Sequence, residues 1–153
     1  MFLSRNDFVQ VLRDAPLVSI DLVVRDEVGR VLVGLRVNRP AQGSWFVPGG
    51  RIYKDERIDD AFLRISHAEL GRAIPRVGAS LLGVYEHLYA DNALAIPGLS
   101  THYVVIAYQM RVNAASLVLP GGQHEQFRWM DANEILDDAA VHPNTKAYFA
   151  LPT

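Results

Sequence analysis

Residues 57–70 place Ile58, Ala61, Phe62, Ile65, Ala68 and Leu70 along one side of an α-helix, and Gly71 follows as a ready C-terminal cap. Such a stripe folds only against another apolar surface, and the remaining segments supply one. Leu17 to Arg25 and Arg30 to Val37 are mostly aliphatic and β-branched, and Asp-Glu-Val-Gly between them offers Gly29 for a positive φ, which predicts a β-hairpin. Further strands are predicted at Trp45 to Val47, Ser80 to Leu88, Thr101 to Val112 and Gln126 to Met130. Ser4 followed three residues later by Asp7, with Phe8, Val11 and Leu12 at helical spacing, predicts a short helix to about Asp14. Short helices are also expected from about Ala132 to Leu136 and from about Asn144 to Ala150, with loops at 38–44 and 90–100. A central helix among strands, flanked by terminal helices, predicts an α/β fold in which helices sandwich a mixed sheet. At 153 residues and 50% hydrophobic content, one domain over residues 1–153 is expected, with a helix-containing arm over about 1–15.

Charge and residue usage narrow the chemistry. The 15 basic and 17 acidic residues are interspersed and give a net charge of -2, which argues against a nucleic-acid-coating surface. Absence of cysteine excludes disulfides, thiolate nucleophiles and Cys-ligated zinc, and leaves oxygen or imidazole ligands suited to magnesium or manganese. The opening Met-Phe-Leu-Ser-Arg-Asn-Asp-Phe-Val-Gln lacks the pattern of a signal peptide, and no apolar run approaches the length of a membrane span, so a cytoplasmic protein without membrane contact is expected.

Pro48-Gly49-Gly50 sets a rigid residue before two flexible ones, so the backbone can turn sharply and approach a ligand. By itself this is an ordinary turn. Arg51, Glu56, Arg64 and Glu69 follow it, so charges of both signs can converge there.

This spacing resembles the Nudix box: Gly50, five residues, Glu56, seven residues, Arg64, then an acidic position and Gly71. The resemblance implies a Nudix-type α/β/α sandwich. In the usual box, Glu follows the Arg immediately and two adjacent Glu residues come later, holding two or three magnesium ions on a nucleoside diphosphate. Here Ile65 and Ala68 occupy two of those three places and Glu69 stands alone. Losing two hard anionic ligands implies a single Mg²⁺, for which Mn²⁺ could substitute. One Nudix subfamily, the GDP-mannose mannosyl hydrolases, carries such a truncated box. The stretches PLVSID, NRPAQGSWFVPGGR, KDE and THYVV and the pair Gln123-His124 also resemble it, whereas the loop 93–100 and Gly121-Gly122 depart from it.

The subfamily hydrolyses GDP-mannose to GDP and mannose with inversion, and GDP-glucose remains an open alternative here. Attack at the anomeric carbon develops negative charge on a weakly basic leaving diphosphate, so one cation and arginines can replace the acid of an ordinary glycosidase. A base for water is still required. His124 is the candidate, either as that base or simply as a surface histidine in a loop that Gly121 and Gly122 allow to close. The resemblance implies Gln123, Glu69 and the Gly49 carbonyl as metal ligands. Arg36 and Arg51 are candidate diphosphate partners by their planar, permanent charge; otherwise they are solvated surface arginines. Arg64 either orients the site or forms a salt bridge to Glu56. Asp21 resembles a sugar-hydroxyl contact, and His87 and Tyr103 resemble leaving-phosphate contacts; the plainer reading is polar residues satisfied on a sheet face. Phe2, Leu3 and Phe8 pack as core or, by resemblance, contact guanine in a site completed across a homodimer. His67, His102 and His142 receive no role. Two other functions stay open: a pyrophosphohydrolase cleaving P–O bonds, and a non-catalytic nucleotide-sugar sensor.

Overall fold

The computed structural model describes residues 2–120 and 124–151. Helix α1 (Arg5–Asp14) is capped by Ser4, whose Oγ accepts from the Asp7 amide, as the Ser4/Asp7 spacing requires. Strands β1 (Leu17–Arg25), β2 (Val31–Arg36), β3 (Trp45–Phe46) and β4 (Gly49–Arg51) precede helix α2 (Ile58–Leu70). Strands β5 (Ser80–Tyr89), β6 (Thr101–Arg111) and β7 (His124–Met130) follow, then helices α3 (Ala132–Asp137) and α4 (Pro143–Lys146). The terminal helix is shorter than expected, and residues 147–150 continue as turns.

The seven strands form one mixed sheet, the α/β architecture anticipated. Strand β1 lies parallel to β6 along its whole length, from Leu17 opposite Tyr103 to Arg25 opposite Arg111, and β5 is antiparallel to β6. The expected hairpin forms only at its turn. Asp26 closes it by accepting from the Val28 and Arg30 amides and from the Arg30 guanidinium, and β1 and β2 are registered only at Arg25 opposite Val31. Beyond that pair the strands separate, and residues 45–51 enter the fork. There β3 pairs with β2 and β4 pairs antiparallel with β1, so Gly49 and Gly50 belong to a strand rather than to a free turn. The physical reason is partner competition. Both strands are buried along most of their length, and each gains more by pairing on with a separate neighbour than by completing a two-stranded ribbon.

Alternation along β1 assigns its two faces. Ile20, Leu22 and Val24 pack with Leu32, Tyr108 and the α2 residues Ala61, Phe62, Ile65 and Leu70. Val23 packs on the opposite side with Val31, Val33, Trp45, Ile135, Val141 and Tyr148. Gly71 ends α2 at φ 69°, and a Cβ there would lie within 2.8 Å of the Val118 Cβ and closer still to its carbonyl oxygen. The loop 90–100 is organised by fully buried Asn92, whose amide accepts from Leu94 and Ile96 and donates to the Ile96 and Leu99 carbonyls. No helix among the described residues is long and apolar enough to cross a membrane.

Candidate active site

The fork between β1 and β2 opens into a cavity of about 690 Å³. Its lining brings together Arg36 from β2, Gly49 and Arg51 from β4, Arg64 and Glu69 from α2, Asp21 from β1, His87 from β5 and Tyr103 from β6, with Phe2, Leu3 and Phe8 of the N-terminal arm. Segments far apart in sequence thus meet because β1 holds β4 on one edge and β6 on the other. The arm lines the cavity of its own chain, with Phe2 90% exposed.

Close backbone approach explains the glycine pair. Gly49 lies opposite Asp21 and Gly50 opposite Ile20. A Cβ at Gly49 would lie 2.6 Å from the Ile20 carbonyl oxygen and closer still to Asp21 Oδ1, so only glycine leaves the carboxylate its place. At Gly50 the neighbour is Ile65, with Cγ1 3.1 Å from an added Cβ. Ile65, buried in the core, and Ala68, exposed, both border the cavity, and their hydrocarbon side chains contribute no oxygen ligand.

Arg64 ties helix α2 to the loop before it and to β4. Its Nε donates to Glu56 Oε1 at 2.7 Å, and its Nη2 donates to Glu56 Oε2 at 2.9 Å and to the Arg51 carbonyl at 2.8 Å. Glu56 also accepts from the Tyr53 amide, and the Arg64 guanidinium lies 3.9 Å from the Tyr53 ring centroid. These bonds, foremost the one to Arg64, hold the Glu56 carboxyl below its ordinary range. The ion pair to Glu56 forms, and Arg64 itself ties helix α2 to the backbone of β4. Arg51 lies over the Phe8 and Tyr53 rings at 5.7 and 5.2 Å, and Arg36 over Phe46 at 5.6 Å.

Desolvation dominates the carboxylates. Burial lifts Glu69 to about 7, with Arg36 opposing and the Asp21 charge reinforcing the rise. Burial also lifts Asp21 to about 6 against the Tyr148 hydrogen bond and Arg36. His87 is pushed down to about 4 by burial and by His142. Glu69 and the Gly49 carbonyl, both in the cavity lining, are hard oxygen donors of the kind that suits one hard divalent cation. No group of three or more His, Cys, Asp or Glu able to hold a metal occurs among the described residues.

Gln123 lies outside the described residues, and only the backbone of His124 is described. That backbone corrects the expected loop placement: His124 is the first residue of β7 and is registered opposite Arg36, which sets it beside the cavity's β2 wall. Sequence reasoning missed Tyr148, whose hydroxyl lies 2.5 Å from Asp21 Oδ2 and 3.3 Å from His87 Nε2. A tyrosine in a C-terminal aromatic run carries no local sign of a partner 127 residues away. It also missed Tyr53 and Phe46 as stacking platforms, and His142, which stacks on Phe46 at 4.6 Å and caps α4 by accepting from the Asn144 amide.

Residues 15–151 match the family model of the NUDIX domain. The chain is 38% identical over 124 residues to the low-salt glycan biosynthesis protein Agl8 of Haloferax volcanii, covering 80% of this chain and 76% of that one. The crystal structure of the MutT NUDIX hydrolase from Burkholderia pseudomallei superposes with a TM-score of 0.71 at 25% identity, over 89% of this chain and 97% of that one. The NUDIX domain of Shewanella oneidensis NrtR, solved with ADP ribose, superposes with a TM-score of 0.65 at 17% identity over 95% of each chain. With the family model spanning strands β1 to β7 and helices α2 to α4, this chain belongs to the Nudix hydrolase family.

Proposed function

We propose that this Nudix protein, one functional unit over residues 1–153 with its arm over 1–15, hydrolyses a GDP-hexose, GDP-mannose or GDP-glucose, to GDP and the free sugar by water attack at the anomeric carbon. The observation that carries this reading is the replacement of two box carboxylates by a buried Ile65 under Gly50 and an exposed Ala68 in the cavity wall. Attack at phosphorus gathers charge on the phosphoryl group and favours several metal ions, whereas departure of an intact diphosphate needs less neutralisation.

Nudix hydrolases generally use a divalent metal such as Mg²⁺. Glu69, the Gly49 carbonyl and Gln123 would hold one such ion, which would neutralise charge on the departing diphosphate. Arg36 and Arg51, braced on aromatic faces, present their N–H edges to phosphate oxygens. Arg64 positions Arg51 through its backbone carbonyl and does not itself need to touch substrate. His124 takes the proton from the attacking water, Asp21 accepts from a sugar hydroxyl, and Tyr103 donates to a phosphate oxygen. Phe2, Leu3 and Phe8 offer an apolar bed for the base, and the exposure of Phe2 supports a second copy of the chain completing it. Sedimentation would report that dimer.

Hydrolysis in ¹⁸O-labelled water tests the bond. Label in the sugar supports this reading, and label in phosphate establishes P–O cleavage instead. No turnover, together with Mg²⁺-dependent stabilisation by GDP-mannose, would identify a sensor.

A further inference from the structure

We infer that Tyr148 is a positioning residue of this site, whose hydroxyl orients the Asp21 carboxylate and fixes His87 as the tautomer carrying its proton on Nε2. A tyrosine hydroxyl has one proton to give and lone pairs to accept with. The 2.5 Å separation from Asp21 Oδ2 is that of a hydroxyl donating to a carboxylate, which can only accept. With the proton committed there, the 3.3 Å contact to His87 is a hydrogen bond only when Nε2–H donates to the tyrosine oxygen. Burial keeps the imidazole neutral at pH 7, so one N–H is all it has. Its Nδ1 is therefore a lone-pair acceptor. Tyr148 itself is 8% exposed and is steadied by the edge-on Tyr85 ring at 4.7 Å.

The consequence concerns substrate chemistry. Asp21 and His87 both line the cavity, and in this arrangement both accept hydrogen bonds. An acceptor repels phosphate oxygens and receives hydroxyl protons, so His87 belongs with Asp21 on the sugar rather than with the leaving phosphate. This part of the inference rests on the hexose reading above; the tautomer does not.

The ring nitrogens of ¹⁵N-labelled protein at pH 7, with His87 identified by the signals missing from His87→Gln, test the assignment without substrate. The expected result is a protonated Nε2 and unprotonated Nδ1 in the wild type, and a mixture of tautomers in Tyr148→Phe, which keeps the ring and removes only the hydroxyl. Hydrolysis of GDP-mannose by Tyr148→Phe is expected to fall roughly tenfold to a hundredfold in kcat, in proportion to lost orientation, with the Mg²⁺ dependence unchanged. A proton on Nδ1 in the wild type overturns the inference, as does an unchanged tautomer or undiminished kcat in Tyr148→Phe. Should that variant fail to fold, the wild-type spectrum alone decides the tautomer. The labelled-water experiment separately decides the hexose reading.

Discussion

Substituting Ile65→Glu restores a carboxylate that the usual Nudix box carries, and the structure predicts that it unsettles the fold rather than adding a metal ligand. Ile65 is 1% exposed and packs among Phe62, Leu22 and Ile20 beneath Gly50. Losing its burial costs about 2 kcal/mol. A charged carboxylate cannot stay in that setting, so the new side chain remains protonated; holding a group of ordinary pKa about 4.3 neutral at pH 7 costs about 3.7 kcal/mol. Together these come to about 5 to 6 kcal/mol, comparable with the whole stability of a marginal domain. The pH dependence has a definite sign. A carboxyl whose folded pKa is raised destabilises increasingly as pH rises above its unfolded value, so the deficit against wild type shrinks toward the apolar part near pH 4. Urea unfolding followed by tryptophan fluorescence at pH 4.5, 6 and 7.5, with and without Mg²⁺, measures both quantities. A variant within about 1 kcal/mol of wild type at pH 7.5, or one restored fully by Mg²⁺, would refute the placement of Ile65 as a core residue that displaces a metal site.

Three further expectations follow from particular contacts. Gly71→Ala forces a left-handed backbone costing about 1–2 kcal/mol and drives a methyl into the Val118 carbonyl, so thermal unfolding should show a lowered midpoint; an unchanged midpoint removes the cap argument. Burial would raise the Asp26 carboxyl, but bonds from Arg30 and Val28 outweigh it and hold the group below its ordinary range. That contribution is present above the unfolded carboxylate pKa and disappears as pH falls through the folded one, so Asp26→Asn should flatten the acid side of the stability profile, and a profile parallel to wild type would contradict this. In the proposed site, Glu69→Gln should raise the Mg²⁺ concentration needed for half-maximal activity, while His124→Gln should lower kcat far more than it alters KM; an unchanged metal requirement or an unchanged kcat would remove the respective residue from its role.

Local periodicity carried much of this protein in its sequence. The helix expected over 57–70, the left-handed glycine after it, the Ser4 cap and the aliphatic runs expected at 17–25, 80–88 and 101–112 all lie within a residue of where spacing placed them, because each element buries a face that its own residues define. The oddity of Ile65 and Ala68 beside Glu69 was also legible, since a truncated motif is a statement about residue identity. Pairing was not. Nothing within 17–37 reveals that its two strands part after one residue pair and admit residues 45–51, because that outcome depends on β3 and β4, which lie outside it, taking the facing edges of β2 and β1. Gly49 and Gly50 read as a turn in isolation; only the opposing Asp21 and the underlying Ile65 show that the missing side chains make room for a carboxylate and for the core. Tyr148 became part of the site through a hydrogen bond spanning 127 residues. Sequence alone determines which faces are apolar and which chemical groups are available, since both are properties of single residues and short spacings. Which of those groups meet, and which nitrogen of a histidine is left to accept a proton, is decided by long-range packing, where one strand's choice of neighbour sets the distance between two side chains.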